Sequence, residues 1–497
     1  MGDNDEGGFI LMLYNSIIFI TVFLPIAWIG WYTLQYFGQL RLAKLFVVGM
    51  SIWFYGYFHV SYVAILLGSA AFNYTIHALQ NWGRRRTGKK SETLLIIGVS
   101  CNVLLLLYFK YLNFFVDNLN AATGMDLQVR KILLPLGISF FTFQQIGFMV
   151  DTYREDIHYD LVDYLFYVTF FPQLVAGPIV THDEFIPQIQ ECKKPTADKM
   201  YDGIALFILG LSKKVLLADS LAVLVNAEYD NITWLDIPSA WITIIFYMWE
   251  LYFDFSGYSD MSIGLGKMFG IDLPQNFNSP FKADSVKDFW RRWHITLSRF
   301  LMKYIYIPLG GNRRGEVRKC LNLMIVFAIS GVWHGANWTF ILWGLMHGFM
   351  VVLETIFEKY RIKNRRIKQA LTFILVTLSF SIFRADSLTD AKILWSRLFA
   401  GGFQGRWIGV TNTLVLTENY ALGKLIEALR LPLANAMYIG TFLMLSILSL
   451  VFIKGKRAPE WIVTNENKKW SAPVLAILFV WSFVSLSKVS VFLYFNF

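Results

Sequence analysis

Ser330-Gly331-Val332-Trp333-His334-Gly335-Ala336-Asn337-Trp338 interrupts two apolar segments, roughly Leu321 to Val332 and Thr339 to Ile356. A short polar break between two such runs marks where one membrane helix gives way to the next. An ionisable side chain at membrane depth costs a few kcal/mol on insertion scales, so it normally faces a cavity and acts there. Imidazole is also the side chain best suited to exchange a proton near neutral pH. His334 therefore reads as a reaction centre inside a bilayer. The competing reading is a packed histidine that bonds two helices, which for an arbitrary membrane histidine carries roughly half the weight. His347 follows on the next run, with Trp343 and Gly344 between, and Gly331 and Gly335 permit close approach of backbone or ligand. Those neighbours favour a cavity, while His347 itself reads equally well as glue between helices.

Composition agrees with a membrane setting. The chain has 497 residues, 56% hydrophobic and 17% aromatic, and only 16% are charged. Its mean hydropathy is +0.47. That leaves too little charge to cover a soluble surface of this size. The net charge of +10 does not point to nucleic acid, because the basic residues cluster in short loops between apolar spans. The first basic residue is Arg41, so the first apolar run, about Phe9 to Trp31, reads as a retained helix and not as a signal peptide. Cys101, Cys192 and Cys320 lack metal spacing and read as ordinary thiols.

Apolar spans of crossing length fall near 11–34, 42–58, 61–80, 94–116, 132–150, 203–225, 238–256, 319–333, 338–357, 367–385, 438–453 and 472–490. Leu161 to Val180 contains Pro172, Gly177 and Pro178, and Phe255 to Ile271 is short and glycine-rich, so both are expected to be re-entrant. The basic loops at Arg41/Lys44, Arg84 to Lys90, Arg154, Lys282 to Lys319, Lys359 to Lys368 and Lys454 to Lys469 alternate with loops poor in Lys and Arg. This bias predicts an all-α polytopic protein with about twelve crossings, within a range of about 11–13, and both termini outside.

Between Asp284 and Ile307, the residues Val286, Phe289, Trp290, Trp293, Leu297, Phe300, Leu301 and Tyr304 recur at helical spacing. Lys287, Arg291, Arg292, Arg299 and Lys303 take the other face. The pattern predicts one interfacial amphipathic helix. Its charge is explained as well by lipid headgroups as by an anionic cytoplasmic substrate drawn to Arg291 and Arg292. On periodicity alone His294, one turn from Trp290 and from Ser298, is a polar boundary residue. Glu250, Asp254 and Asp260 are acids in or near spans, which keeps an ion-coupled transporter open, although no repeated halves are visible.

Five stretches together resemble the membrane-bound O-acyltransferase family. They are Pro135-Leu136-Gly137-Ile138-Ser139-Phe140-Phe141-Thr142-Phe143, Phe171-Pro172-Gln173-Leu174-Val175-Ala176-Gly177-Pro178, Phe289-Trp290-Arg291-Arg292-Trp293-His294-Ile295-Thr296-Leu297-Ser298, Tyr306-Ile307-Pro308-Leu309-Gly310-Gly311-Asn312 and Val332-Trp333-His334-Gly335-Ala336-Asn337-Trp338. They run in family order, and they are closer to the branch of alginate O-acetylation proteins than to that of teichoic acid D-alanylation proteins. The resemblance implies one integral-membrane domain over 1–497, with a catalytic core at about 132–357 folded around a central tunnel. His334 would be the essential histidine and His294 the second polar site residue. Trp333, Gly335, Asn337, Trp338, Arg291, Arg292, Trp290, Ser298 and His347 would line the site or bind the donor.

The implied reaction is acetyl transfer from a cytoplasmic donor, acetyl-CoA, for O-acetylation of an exported or cell-surface polysaccharide such as alginate. The implied partners are the lipid bilayer, an extracytoplasmic SGNH-type acetyltransferase or helper peptide, and the glycan, with no nucleic acid. The implied location is a bacterial inner membrane. No metal and no permanently bound cofactor are expected. D-alanyl transfer to teichoic acid, and a transporter or flippase, are the alternatives. His334 is expected near the narrowest point of a passage open to both faces. The charge bias further predicts that cysteine-labelling reagents reach loops near Lys90 and Lys282 to Arg318 from the cytoplasm only, and 118–128 and 226–236 from outside only. Labelling of a cysteine at 230 from the cytoplasm alone would break this topology.

Overall fold

A computed structural model describes residues 12–129, 132, 134–192, 194–357, 362–429, 434–465, 468–486 and 493. The two chain termini and part of the basic loop at 359–368 lie outside these residues. Helices account for the regular structure, with no strand among the described residues. The chain divides into two compact units, one of 1–207 with 261–274 and the other of 208–260 with 275–497. Among the described residues, five helical stretches are long and apolar enough to cross a membrane: Val60–Thr87, Glu92–Thr123, Trp338–Ile356, Arg365–Arg384 and Asn435–Lys454.

In the first unit, the helix expected to break near Pro172 does so. Leu161–Thr169 ends at Phe170, and a four-residue turn, Phe171–Leu174, follows with its proline at the start. Proline has no N–H to give and clashes with a continuing helix. The freed groups find partners. Phe171 N–H donates to Ser51 Oγ at 3.1 Å, and the Tyr167 carbonyl accepts from the side chains of Gln144 and Gln173 at 3.0 and 2.6 Å. Gly137 sits at φ +69°, where a Cβ would stand 2.9 Å from the carbonyl oxygens of Leu174 and Val175. Two of the quoted stretches therefore pack backbone to backbone, which requires glycine there.

The glycine-rich segment 255–271 departs from expectation. It is not a separate re-entrant piece but the second half of one continuous helix, Ile237–Met268. Its glycines serve close packing against Ala197–Ser212. In the first unit a Cβ on Gly264 would come within 2.6 Å of Gly203 O, and in the second a Cβ on Gly257 would come within 2.7 Å of Gly210 O. Small residues let helices approach where lipid gives no hydrophobic drive to associate.

The amphipathic stretch at 284–307 also differs. It forms two short helices, Val286–Trp290 and Ile295–Leu301, followed by a π turn, Met302–Tyr306. Val286, Phe289, Trp293 and Leu297 are at most 1% exposed, so the stripe faces the protein interior and not a lipid headgroup layer. Leucine at Gly264 should lower the melting temperature in detergent by several degrees, since overpacking a tight contact costs about 1–3 kcal/mol. An unchanged thermal transition would refute the close contact.

Candidate functional site

The site belongs to the second unit and begins with an irregular turn. The helix Val286–Trp290 is started by Ser285, whose Oγ accepts from Asp288 N at 3.0 Å, and by Glu354, whose carboxylate accepts from the backbone of Val286 and Lys287 at 2.6 and 3.0 Å. The turn then ends at His294, with φ 45° and ψ 53°. A side-chain-bearing residue rarely adopts this left-handed conformation, and it persists only where the surroundings enforce it. Here segment 276–278 enforces it. Asn278 N–H donates to Arg292 O at 2.8 Å, and Ile295 N–H donates to Asn276 O at 3.0 Å.

The Asn276 side chain completes the clamp. Its Oδ1 accepts from Thr296 N at 3.2 Å and from Thr296 Oγ1 at 3.0 Å, and it lies 3.1 Å from His294 Nδ1. A backbone N–H can only donate, so the carboxamide atom facing it must be the oxygen. His294 Nδ1 therefore carries the proton toward Oδ1, and Nε2 is the acceptor nitrogen of a neutral ring. His294 is fully buried, where periodicity alone had placed a boundary residue. Asn276 is not among the site residues expected from sequence. Its cue was slight: a polar pair, Asn276 and Asn278, straddling Phe277 eighteen positions before the histidine.

His334 ends the helix Gly315–His334, and Asn337 starts the next, Trp338–Ile356. The two helices meet glycine on glycine. A Cβ on Gly331 would stand 2.5 Å from Phe340 O and 3.1 Å from Gly344 Cα. Gly335 is filled by the Phe340 ring. These glycines thus serve helix packing and not the approach of a ligand. The His334 ring is 4% exposed. It touches Trp333, Trp343 and Phe383 edge-on, with centroids 4.9, 5.0 and 5.3 Å away. Trp333 also lies 6.2 Å from the His294 ring. One indole thus bridges the two histidines, which lie forty positions apart in sequence.

His347 takes the structural reading. Trp290 Nε1 donates to its Nδ1 at 3.2 Å, and its Nε2 donates to Ser379 Oγ at 2.8 Å, which passes its own proton to Val376 O at 2.7 Å. Both ring nitrogens are used in joining three helices. Asn337 is likewise committed. Its Oδ1 caps Thr339 N at 3.1 Å, and its Nδ2 donates to Asp386 O at 2.8 Å, so it is not free to donate to an oxyanion. Trp338 is 51% exposed. Ser298 Oγ donates to Trp290 O at 3.2 Å, and Arg292 pairs with Asp288 at 2.9 Å, while Arg291 is exposed. The acids that kept a transporter open are mostly paired, Asp254 with Lys214 at 2.5 Å and Asp260 with Lys213 at 2.6 Å.

Among the described residues no open passage reaches His334, whose imidazole is enclosed by the rings of Trp333, Trp343 and Phe383. A cavity of about 600 Å³ ends one ring away, at Phe383. Among the described residues no group of three His, Cys, Asp or Glu side chains is placed to hold a metal ion.

Residues 52–385 match the model of the membrane-bound O-acyltransferase family. The chain belongs to that family. It is thus an acyltransferase and a multi-pass membrane protein. This acyltransferase is 36% identical to the peptidoglycan O-acetyltransferase of Helicobacter pylori over 98% of both chains. It is 39% identical to a probable alginate O-acetylase, AlgI, of Pseudomonas putida, over 79% of this chain and 81% of that one. A teichoic acid D-alanyltransferase of Bacillus subtilis is more distant, at 28% identity over 50% of this chain and 68% of its own.

The geometry separates two kinds of histidine by experiment. His347→Ala should strand the Trp290 N–H and the Ser379 hydroxyl, costing about 1–3 kcal/mol each and lowering the melting temperature, while the folded fraction still turns over. Asn276→Ala should instead reduce acyl transfer at least about tenfold, because the His294 ring loses its fixed tautomer and orientation. Equal turnover per folded molecule in Asn276→Ala and the parent would remove the clamp from the site.

Proposed function

We propose that this acyltransferase moves an acetyl group from acetyl-CoA in the cytoplasm through the membrane for O-acetylation of an exported or cell-surface polysaccharide. The observation that carries the reading is the meeting of His294 and His334 on the single Trp333 ring, deep in the unit and away from bulk water. In transfer from a thioester, the acceptor oxygen attacks the carbonyl carbon, the hydroxyl proton leaves to a base, and the tetrahedral intermediate expels the thiolate. His334 takes that proton and returns it to the departing sulfur, so the step needs no other acid or base. His294, held in one orientation by Asn276, positions the reacting groups beside His334. The enclosing aromatics keep water from competing for the thioester.

The end-to-end match to a peptidoglycan O-acetyltransferase supports a cell-wall glycan as the polysaccharide, with alginate-like chains the nearest alternative. The same reading places the protein in a bacterial inner membrane with both termini outside, and gives it an extracytoplasmic SGNH-type partner. D-alanyl transfer has less support, since the D-alanyltransferase match covers half of this chain.

His334→Ala should abolish transfer of radiolabelled acetyl groups, a loss of at least the about 10²–10⁴-fold that positioned acid–base groups supply. Its elution and thermal transition should stay close to the parent's, because the helices around it are held by glycine contacts and aromatic rings. Full activity in a well-expressed His334→Ala protein would sink the assignment.

A further inference from the structure

Residues 398–405, Leu-Phe-Ala-Gly-Gly-Phe-Gln-Gly, carry no charge, yet most of them lie on the surface. Phe399 and Phe403 are 61% and 79% exposed, and Trp234, Trp407 and Ile408 beside them are exposed as well. Single apolar side chains on a surface need no account, but five large ones around one loop do.

The loop is firmly held. Asp236 is fully buried and binds it through both carboxylate oxygens. Its Oδ2 accepts from the backbone N–H of Gln404 and Arg406 at 2.9 and 3.2 Å, and its Oδ1 accepts from the N–H and hydroxyl of Ser239 at 3.1 and 2.5 Å. The Gly402 carbonyl accepts from Ile237 N–H at 3.0 Å. Gly402 and Gly405, at φ +73° and +72°, make the left-handed turns this path requires. Arg406 donates to Trp234 O and lies over the Trp234 ring at 5.1 Å, so its charge is turned back onto the protein. The clamp leaves Phe403 pointing outward on a backbone with little freedom to withdraw it.

Depth decides what surrounds that ring. The helix Arg365–Arg384 has 20 residues. At 1.5 Å per residue it spans about 30 Å, the thickness of the hydrocarbon core, so its last turn lies at the membrane boundary. That turn carries Ser381, whose Oγ accepts from Trp395 Nε1 at 3.0 Å. Trp395 belongs to the next helix, Leu388–Ala400, which runs into the loop. Trp241, near the start of Ile237–Met268, donates from Nε1 to Leu398 O at 3.2 Å and fixes the same level. Beyond Leu388, the exposed side chains of this helix are first Thr389, Lys392 and Ser396, and then Phe399 and Ala400. Its polar part suits water and headgroups, while its apolar end and the loop suit hydrocarbon.

We propose that the loop 399–408 is a wedge that inserts its aromatic side chains into the hydrocarbon boundary of one leaflet, with Asp236 holding it there. The helix that carries it starts just after Asp386, whose carbonyl accepts from Asn337 Nδ2 at 2.8 Å. One helix thus has the wedge at its end and the Asn337 contact at its start.

The test uses the full-length protein with Cys101, Cys192 and Cys320 changed to serine. It is reconstituted in nanodiscs of phosphatidylethanolamine and phosphatidylglycerol. A nitroxide is attached at Phe403→Cys or, as the water-facing reference, at Thr389→Cys. Collision with oxygen, which concentrates in hydrocarbon, is compared with collision with a water-soluble nickel chelate. Oxygen should dominate at 403 and nickel at 389. Asp236→Asn loses one of the two acceptor oxygens, so it should make the label at 403 more mobile and more open to nickel, with 389 unchanged. Gln404→Pro, which removes one of the clamped N–H groups, serves if Asp236→Asn does not fold. Nickel reaching 403 as readily as 389 overturns the proposal, because the loop then stands in water. A label at 403 that neither reagent reaches overturns it too, because protein then covers the loop. Unchanged mobility and depth at 403 in the folded clamp variant removes Asp236 from the role.

Discussion

A peptide group that leaves the helix inside a bilayer has no water to turn to, and each unbonded N–H or C=O costs several kcal/mol. Every irregular backbone segment in such a protein therefore needs partners supplied by some other part of the chain. At His294 those partners come from 276–278, whose backbone and Asn276 carboxamide bond to the backbone and side chains of the turn. The same contacts that keep the turn from melting also set which nitrogen of His294 carries its proton. Structural satisfaction and chemical readiness are one interaction here, and this is why a left-handed histidine is stable at this place.

The environment of the histidines sorts them by what their nitrogens already do. His347 spends both on Trp290 and Ser379, and so acts as a joint between helices. His294 spends Nδ1 on Asn276, which holds the ring in one orientation. His334 is held by ring edges: Trp333, Trp343 and Phe383 surround it at about van der Waals distance. Aromatic edges carry partial positive charge and faces partial negative charge, so edge-on packing fixes a ring's orientation.

Glycine has two uses in this chain that look alike in sequence. At Gly137, with φ +69°, it allows a backbone conformation and a backbone contact together. At Gly257, Gly264, Gly331 and Gly344 it lies within helices and allows two of them to touch. Composition cannot separate these uses, since both place glycine in an apolar run. Hence the 255–271 segment, which reads as broken, continues one helix as far as Met268, while the 161–180 segment breaks at Phe170, where Pro172 removes a donor.

Sequence by itself determined the membrane class, the helical architecture and the break near Pro172, because these follow from apolar length and from proline's missing N–H, which are local properties. It also singled out His334 and, through the family motif, His294. Only the tertiary structure decided that 284–307 is two helices and not one. No glycine or proline marks that break, and the bonds that stabilise it come from Asn276 and from Glu354, far along the chain. The same is true of Asn276 and Phe383 as neighbours of the histidines, and of Asn337 and His347 as structural residues. What a polar side chain does depends on which partners fold against it, and that pairing is long-range.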